Sequence, residues 1–238
     1  MERLADSRFL RQSLALFGCM MISAGSVRAE IILVPDDYRT IQEAIDAAAG
    51  GDEIIVAPGT YAERINFLGK AIWLHSAVGA DATIIDGSGL YEAVVTCNYG
   101  EGPDTVFEGF TITGGDGYWG GGMYIHNSSP TVLDCTFTAN YAAYGGGLCN
   151  FYETPIIAEC TFIDNAAGSG GGLYSRTSDP IIRECVFLEN IAGSFGGGVG
   201  GLGECEPDVS GCVFIGNMAQ SGGAFHTQLT SPQFTDCL

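Results

Sequence analysis

The chain has 238 residues, 36 of them glycine, and carries 28 acidic side chains against 9 basic ones. A net charge of −19 opposes binding to nucleic acid, anionic lipid or polyanionic polysaccharide unless cations bridge the contact. So much glycine, with only two tryptophans, indicates a folded chain with many turns and unusual backbone angles.

The N-terminal residues 1–29 have the pattern of a secretory signal peptide. Three arginines precede the apolar run 14–24, and a small-residue cleavage site ends at Ala29. Cleavage would remove four basic and two acidic side chains, which leaves 5 basic against 26 acidic and a net charge of −21. A lipoprotein signal at Cys19 is the alternative, but its apolar stretch would end too early. We expect an exported chain with no transmembrane helix after cleavage, located extracellularly, in the envelope or at an outer membrane surface.

Residues 30–52 have the pattern of an N-terminal cap. Ile31–Val34 is predicted as a strand, and the capping box Thr40 to Glu43 opens an amphipathic helix over Ile41–Ala49 that Gly50-Gly51 would end. Such a helix would cover the open end of a solenoid core.

Residues 53–119 are predicted as irregular coils with loosely spaced strands. These strands are Glu53–Ala57, Arg64–Phe67, Ala71–His75, Thr83–Ile85 and Val94–Cys97.

Residues 120–238 repeat one pattern five times. The unit reads Gly-Gly-Gly-apolar, then Pro, then Cys-x-Phe-x-x-Asn, and it recurs about every 25 residues. Three of the four steps between its cysteines are equal, and one is longer by two, with the extra residues placed around Glu204 and Cys205. The unit is too short for a helix pair and rich in β-branched residues, which predicts one coil of a parallel β-solenoid that rises about 4.8 Å per repeat.

Residues one repeat apart would then form columns. The cysteine and phenylalanine columns are predicted to form the core, and the asparagines a structural ladder. We expect buried thiols rather than disulfides, because a rise of about 4.8 Å exceeds the roughly 3.8 Å that bridged Cβ atoms prefer. The sequence contains no Cys-x-x-Cys pair of the kind that binds zinc. The column cysteines are Cys135, Cys160, Cys185, Cys212 and Cys237, and those outside it are Cys97, Cys149 and Cys205.

Acidic residues also recur at the repeat spacing. Asp134, Glu159 and Glu184 precede the column cysteines, and Asp164 with Glu189 make a second short column. Strand alternation predicts that they point outward, where stacked like charges repel. A bound divalent cation such as calcium would relieve that repulsion, and the alternative is a solvated face that keeps the solenoid soluble.

A third set of columns carries aromatic and basic side chains. His126, Phe151 and Arg176 fall in one column, and Tyr124 and Tyr174 flank Cys149 in another. Aromatic rings on a solenoid face can stack against sugars, so these residues are candidates for ligand binding; scattered exposed aromatic residues are the alternative.

These motifs resemble a known superfamily. The segments 34–45 and 51–61 resemble the opening of right-handed parallel β-helix proteins of the pectin-lyase-like superfamily. The four Phe-x-x-Asn copies and Gly222-Gly223-Ala224-Phe225 are similar to the polymorphic outer membrane protein repeat. The resemblance implies an all-β, right-handed parallel β-helix with a short N-terminal capping helix, in a superfamily that hosts pectinases and surface proteins.

Two functions remain open from the sequence. Pectinase-type catalytic motifs are missing, which favours a non-catalytic scaffold or adhesin-like surface that binds polysaccharide or a cell-surface protein. A polysaccharide-active enzyme with an unfamiliar site is the alternative. The sequence stops within its fifth unit, so we expect an uncapped C-terminal end, either because a longer protein continues or because the edge associates with another molecule.

Overall fold

The computed structural model describes residues 29–203, 205–228 and 232–238, and the predicted signal peptide lies almost wholly outside them. In these residues the chain is a parallel β-solenoid with a single short helix. Its strands form four parallel sheets of nine, seven, seven and four strands. The predicted all-β parallel β-helix is therefore confirmed. No described helix is long and apolar enough to span a membrane.

The N-terminal elements are irregularly spaced. They are β1 (Ile31–Val34), α1 (Ile41–Ala47), β2 (Glu53–Val56), β3 (Gly59–Tyr61), β4 (Ile65–Asn66), β5 (Trp73–Ser76), β6 (Thr83–Asp86), β7 (Val95–Cys97), β8 (Val106–Glu108) and β9 (Thr111–Thr113).

The later elements repeat in groups of four strands. They are β10 (Asp116–Trp119), β11 (Met123–His126), β12 (Thr131–Leu133), β13 (Thr136–Thr138), β14 (Tyr141–Tyr144), β15 (Leu148–Phe151), β16 (Ile156–Ala158), β17 (Thr161–Ile163), β18 (Ala166–Ser169), β19 (Leu173–Arg176), β20 (Ile181–Arg183), β21 (Val186–Leu188), β22 (Ile191–Ala192), β23 (Val199–Leu202), β24 (Asp208–Ser210), β25 (Val213–Ile215), β26 (Phe225–Thr227) and β27 (Gln233–Thr235).

The strand register confirms the predicted repeat and corrects one detail of it. Thr131, Ile156 and Ile181 stack at the repeat spacing, as predicted. The two extra residues do not lie together around position 204. The first lies between β22 and β23, because Leu173 pairs with Val199, and the second lies between β23 and β24, because Ile181 pairs with Asp208. Each insertion falls in a turn, so every sheet keeps its register.

Helix α1 covers the first coil and ends two residues earlier than predicted. The capping box of Thr40 and Glu43 is present, and Ile41, Ala44 and Ile45 are buried against the core. The helix stops at Ala47 because Ala48 is already extended, with ψ 147°. Its end is held from outside the helix, because the Lys70 ammonium donates to the carbonyl oxygens of Ile45 and Asp46 at 2.7 and 2.8 Å.

The Lys70→Met substitution tests this cap. It keeps most of the apolar stem but removes the donor for two terminal carbonyls, so we expect the free energy of unfolding to fall by about 1–2 kcal/mol. Urea denaturation followed by circular dichroism measures this loss. Arg39→Met, a charge loss at an exposed position before the helix, is the control. An equal loss for both variants would show that the cap contributes nothing specific.

The core is built from columns, as the repeat predicted. The rings of Phe137, Phe162, Phe187 and Phe214 stack at 4.8–4.9 Å within 6° of parallel. The column cysteines are free thiols that donate to carbonyls of the preceding coil at 3.5–3.8 Å. Burial raises the pKa of the Cys160 thiol well above its usual value, which keeps this thiol neutral. The predicted role as buried spacers is confirmed for four of these cysteines, while Cys237 in the last coil is half-buried.

Candidate functional site

The acidic columns occupy corners of the coils and not strand positions. Asp134, Glu159 and Glu184 have φ of 46°, 55° and 52°, in the left-handed region, and Asp164 and Glu189 both have φ 55°. These residues do point outward, as expected, but strand alternation is the wrong reason for it. They are exposed because each stands where the chain turns from one sheet to the next.

No group of three or more histidine, cysteine or acidic side chains among the described residues is arranged to hold a metal ion. Calcium at the acidic columns therefore stays a prediction from the sequence.

The predicted aromatic columns are present, but most of their rings are packed. Tyr124 pairs with Cys149 and then Tyr174, and His126 pairs with Phe151 and then Arg176, as the repeat predicted. Phe151 and Tyr174 are only 5% and 1% exposed. His126 is half-buried and Arg176 is exposed. These five residues do not form one open binding surface.

The packed rings belong to a second hydrophobic cluster outside the solenoid core. It lies on the outer face of β15 and β19 and is covered by residues from the ends of β10 and β14. We call it the outer cluster, and its members are Cys149, Phe151, Tyr174, Trp119, Tyr124, Tyr144, Phe195 and Leu202. Burial raises the pKa of Tyr174 and, to a smaller extent, that of Tyr124, because both phenols are partly removed from water.

An open groove begins where this cluster ends. It encloses about 360 Å³ along the outer faces of β4, β7 and β11. Its lining residues are Arg64, Asn66, Glu92, Ala93, Thr96, Asn98, Gly117, Tyr118, Trp119 and Tyr124. Tyr124 is the member of the predicted ligand set that lines this groove.

One wall of the groove is aromatic and held rigidly. Trp119 stacks on Tyr144 at 4.6 Å and meets Phe151 edge-on at 4.8 Å, while Tyr118 is 65% exposed and packs edge-on against Trp119. The wall turns into β11 at Gly120, which has φ 66°. A Cβ atom there would lie 2.1 Å from the Met123 carbonyl oxygen, so this turn requires glycine.

The floor of the groove is polar. Asn66 donates through its side-chain amide to the Asn98 side-chain oxygen at 3.2 Å, and Thr96 lies next to Asn66 in the sheet register. Arg64 forms an ion pair with Glu92, and its Nε donates to the Ala93 carbonyl oxygen at 3.0 Å. Glu92 is the only carboxylate among the described lining residues, and the ion pair compensates its charge.

This arrangement fits recognition of hydroxyl-rich molecules better than hydrolysis. Amide and hydroxyl groups can both donate to and accept from sugar hydroxyls, while a fixed aromatic ring offers an apolar face. Glycoside hydrolysis uses two carboxyl groups on either side of the bond, and the described groove lining provides one.

Most of this groove was not predicted from the sequence. The expected strand is present but shorter than predicted, so Asn66 lies on β4 and Arg64 just before it. Both residues meet Glu92, Asn98 and the aromatic wall only because of how the irregular coils stack. The available signal was the adjacent aromatic pair Tyr118-Trp119 immediately before the first Gly-Gly-Gly.

A larger hollow beside β1 is a weaker candidate site. It encloses about 580 Å³ and includes Asp52, Glu53 and Trp73 in its lining. The Asp52 carboxylate already accepts from the backbone N–H groups of Glu30 and Ala49, and Glu53 contacts His75 at 2.9 Å. Its polar groups therefore serve the fold.

The coils and the groove together define a parallel β-helix protein with a solvent-open groove on its outer face. The chain belongs to the family described as "Right handed beta helix region", whose model matches residues 71–237. No curated protein matches the chain significantly.

Several solved structures are similar in fold. A pectin methylesterase from Aspergillus niger is 13% identical with a TM-score of 0.53, over 90% of this chain and 85% of that one. The carrot pectin methylesterase is 15% identical with a TM-score of 0.52, over 86% and 69%. A pectin methylesterase in complex with a hexasaccharide is 10% identical with a TM-score of 0.50, over 86% and 70%. At these identities the similarity concerns the fold alone.

Proposed function

We propose that this chain is an exported, non-catalytic β-helix protein that binds a neutral polysaccharide in the groove. The observation that carries the proposal is the rigid aromatic wall of Tyr118 and Trp119 facing the polar floor of Asn66 and Asn98. A solved pectin methylesterase of this fold holds a hexasaccharide, which supports a sugar chain as the class of ligand.

Charge favours a neutral sugar chain over a polyanionic one. Cleavage after Ala29 would leave a net charge of −21, which repels a chain of carboxylates. Arg64, the one cation among the described lining residues, is already paired with Glu92. Binding would therefore depend on ring stacking and hydrogen bonds, and should change little with ionic strength.

The Trp119→Ala substitution tests the aromatic wall. Removing the ring takes away its stacking and its buried apolar area, so we expect binding to a neutral polysaccharide to weaken about tenfold or more. Isothermal titration calorimetry with a panel of neutral polysaccharides and polygalacturonate measures this change. Trp73→Ala, which removes the other tryptophan on a different sheet, should leave binding unchanged.

Two controls separate the possible results. Because Trp119 also packs in the outer cluster, the Tyr118→Ala variant repeats the test at an exposed ring that is not a member of that cluster and meets it only edge-on. Absorbance at 235 nm and release of reducing ends report lyase or hydrolase activity on the same panel. Product formation would replace the binding proposal with the enzymatic alternative, and equal affinities for wild type and both groove variants would exclude this groove.

A further inference from the structure

A second face of the solenoid, away from the groove, has the chemistry of a protein-binding surface. Five of the six outward side chains of β17, β21 and β25 are apolar and form a contiguous group that we call the apolar strip; the sixth is Thr161. Its members are Ile163, Val186, Leu188, Val213 and Ile215. Ile215 is 54% exposed and the other four are half-buried. In the described part of the chain these strands contact chiefly their own sheet neighbours, so the strip is left open to solvent.

Carboxylates border the apolar strip on both sides at β17 and β21, while Gly211 and Gly216 occupy the same corners beside β25. Glu159 and Glu184 stand at the corner where the chain enters this sheet, and Asp164 and Glu189 at the corner where it leaves. All four are exposed, and none forms a salt bridge with a described residue. Carboxylates repeated at about 4.8 Å along each corner repel one another, and a cationic partner would relieve that repulsion.

We propose that the apolar strip and its two acidic borders bind a cationic amphipathic helix of a partner protein. The five residue steps from Glu159 to Asp164 span at most about 16–18 Å, and a helix with its side chains is about 10–12 Å wide. A helix lying along the solenoid axis presents a new apolar residue about every 5.4 Å, close to the coil rise of about 4.8 Å. Its apolar face meets the strip while lysines and arginines on both flanks meet the acidic borders.

The neighbouring nine-stranded sheet fits this partner less well. Its outer face also carries apolar residues, among them Ile156 and Ile181. Arg183 interrupts that face and pairs with Asp208 at 3.4 Å, which places a cation where the partner's cations would lie. Charge complementarity on both borders is thus a property of the apolar strip.

Fluorescence anisotropy with a labelled helical peptide of leucine and lysine tests the proposal. We expect the full chain to bind this peptide and not a leucine–glutamate peptide of the same pattern. A lysine–serine peptide, which has the charge but no apolar face, should bind at least tenfold more weakly. Added salt should weaken binding, because exposed ion pairs are screened.

Three variants locate the binding site. Glu184→Gln with Glu189→Gln should weaken binding about tenfold, which corresponds to roughly threefold for each exposed ion pair. Asp81→Asn with Asp104→Asn makes the same change in net charge away from the strip and should alter the affinity less than twofold. Leu188→Asn should weaken binding as well, with circular dichroism confirming the fold. Equal loss in both double variants, or no binding by wild type, would overturn the proposal.

Discussion

Replacing Asn165 by alanine is expected to lower the free energy of unfolding by about 4 kcal/mol. The buried side chain accepts from the backbone N–H and the side-chain amide of Asn140, and donates to the Phe137 carbonyl and to Asn190. Alanine removes all four bonds at once. Each buried polar group left without a partner costs roughly 1–3 kcal/mol, and the cavity adds to this. Urea denaturation measures the loss.

The matched control is the same substitution at Asn98. That side chain is exposed in the groove and accepts one bond from Asn66, so its loss should cost less than about 0.5 kcal/mol. A loss below about 1 kcal/mol for Asn165→Ala would mean that the asparagine ladder is not a main support of the coils.

The Gly171→Ala substitution is expected to have an effect of similar size. A Cβ atom there would lie 2.5 Å from the Gly197 carbonyl oxygen and 2.7 Å from that of Ile191. Both atoms are backbone of adjacent turns, so neither can move without separating the coils. We expect a loss of at least about 3 kcal/mol, seen as a lower urea midpoint or as failure to accumulate folded protein.

Gly193→Ala is the comparison for this test. The nearest atom to a Cβ at Gly193 is 3.6 Å away, an ordinary contact, and its φ needs no glycine. Alanine there should be neutral or slightly stabilising, because it restricts the unfolded chain. If Gly171→Ala unfolds at the same urea concentration as Gly193→Ala, close packing of the glycine corners does not explain the repeat.

The two proposed surfaces lie on different kinds of coil, for a physical reason. Regular coils repeat their side chains in columns, which produces long uniform faces such as the apolar strip. The groove lies mainly among the irregular coils. In these coils Trp73 pairs with Val106 in the nine-stranded sheet, and the chain between these two residues is longer than one regular repeat. The extra length includes Glu92 and Asn98, which supply part of the groove lining.

The solenoid could be predicted from the sequence because the repeat spacing by itself specifies which residues stack on one another. Each cysteine, phenylalanine and asparagine has the same neighbours one coil above and below, so the repeat spacing specifies the contacts of Phe162 as well as those of Phe137. The capping box at Thr40 could be predicted for a similar reason, since its two partners lie close together in the sequence.

Tertiary structure alone decided which surfaces are open. Tyr174 and Phe151 alternate outward along their strands, as the sequence predicts, yet Trp119 and Tyr144 fold over that face and bury it. The groove joins Arg64 to Glu92 and Asn66 to Asn98 across 28 and 32 residues that follow no repeat. Periodicity determines which residues stack, because stacking depends only on spacing along the chain. It does not determine what covers a stacked face, because that depends on the paths of the turns between strands.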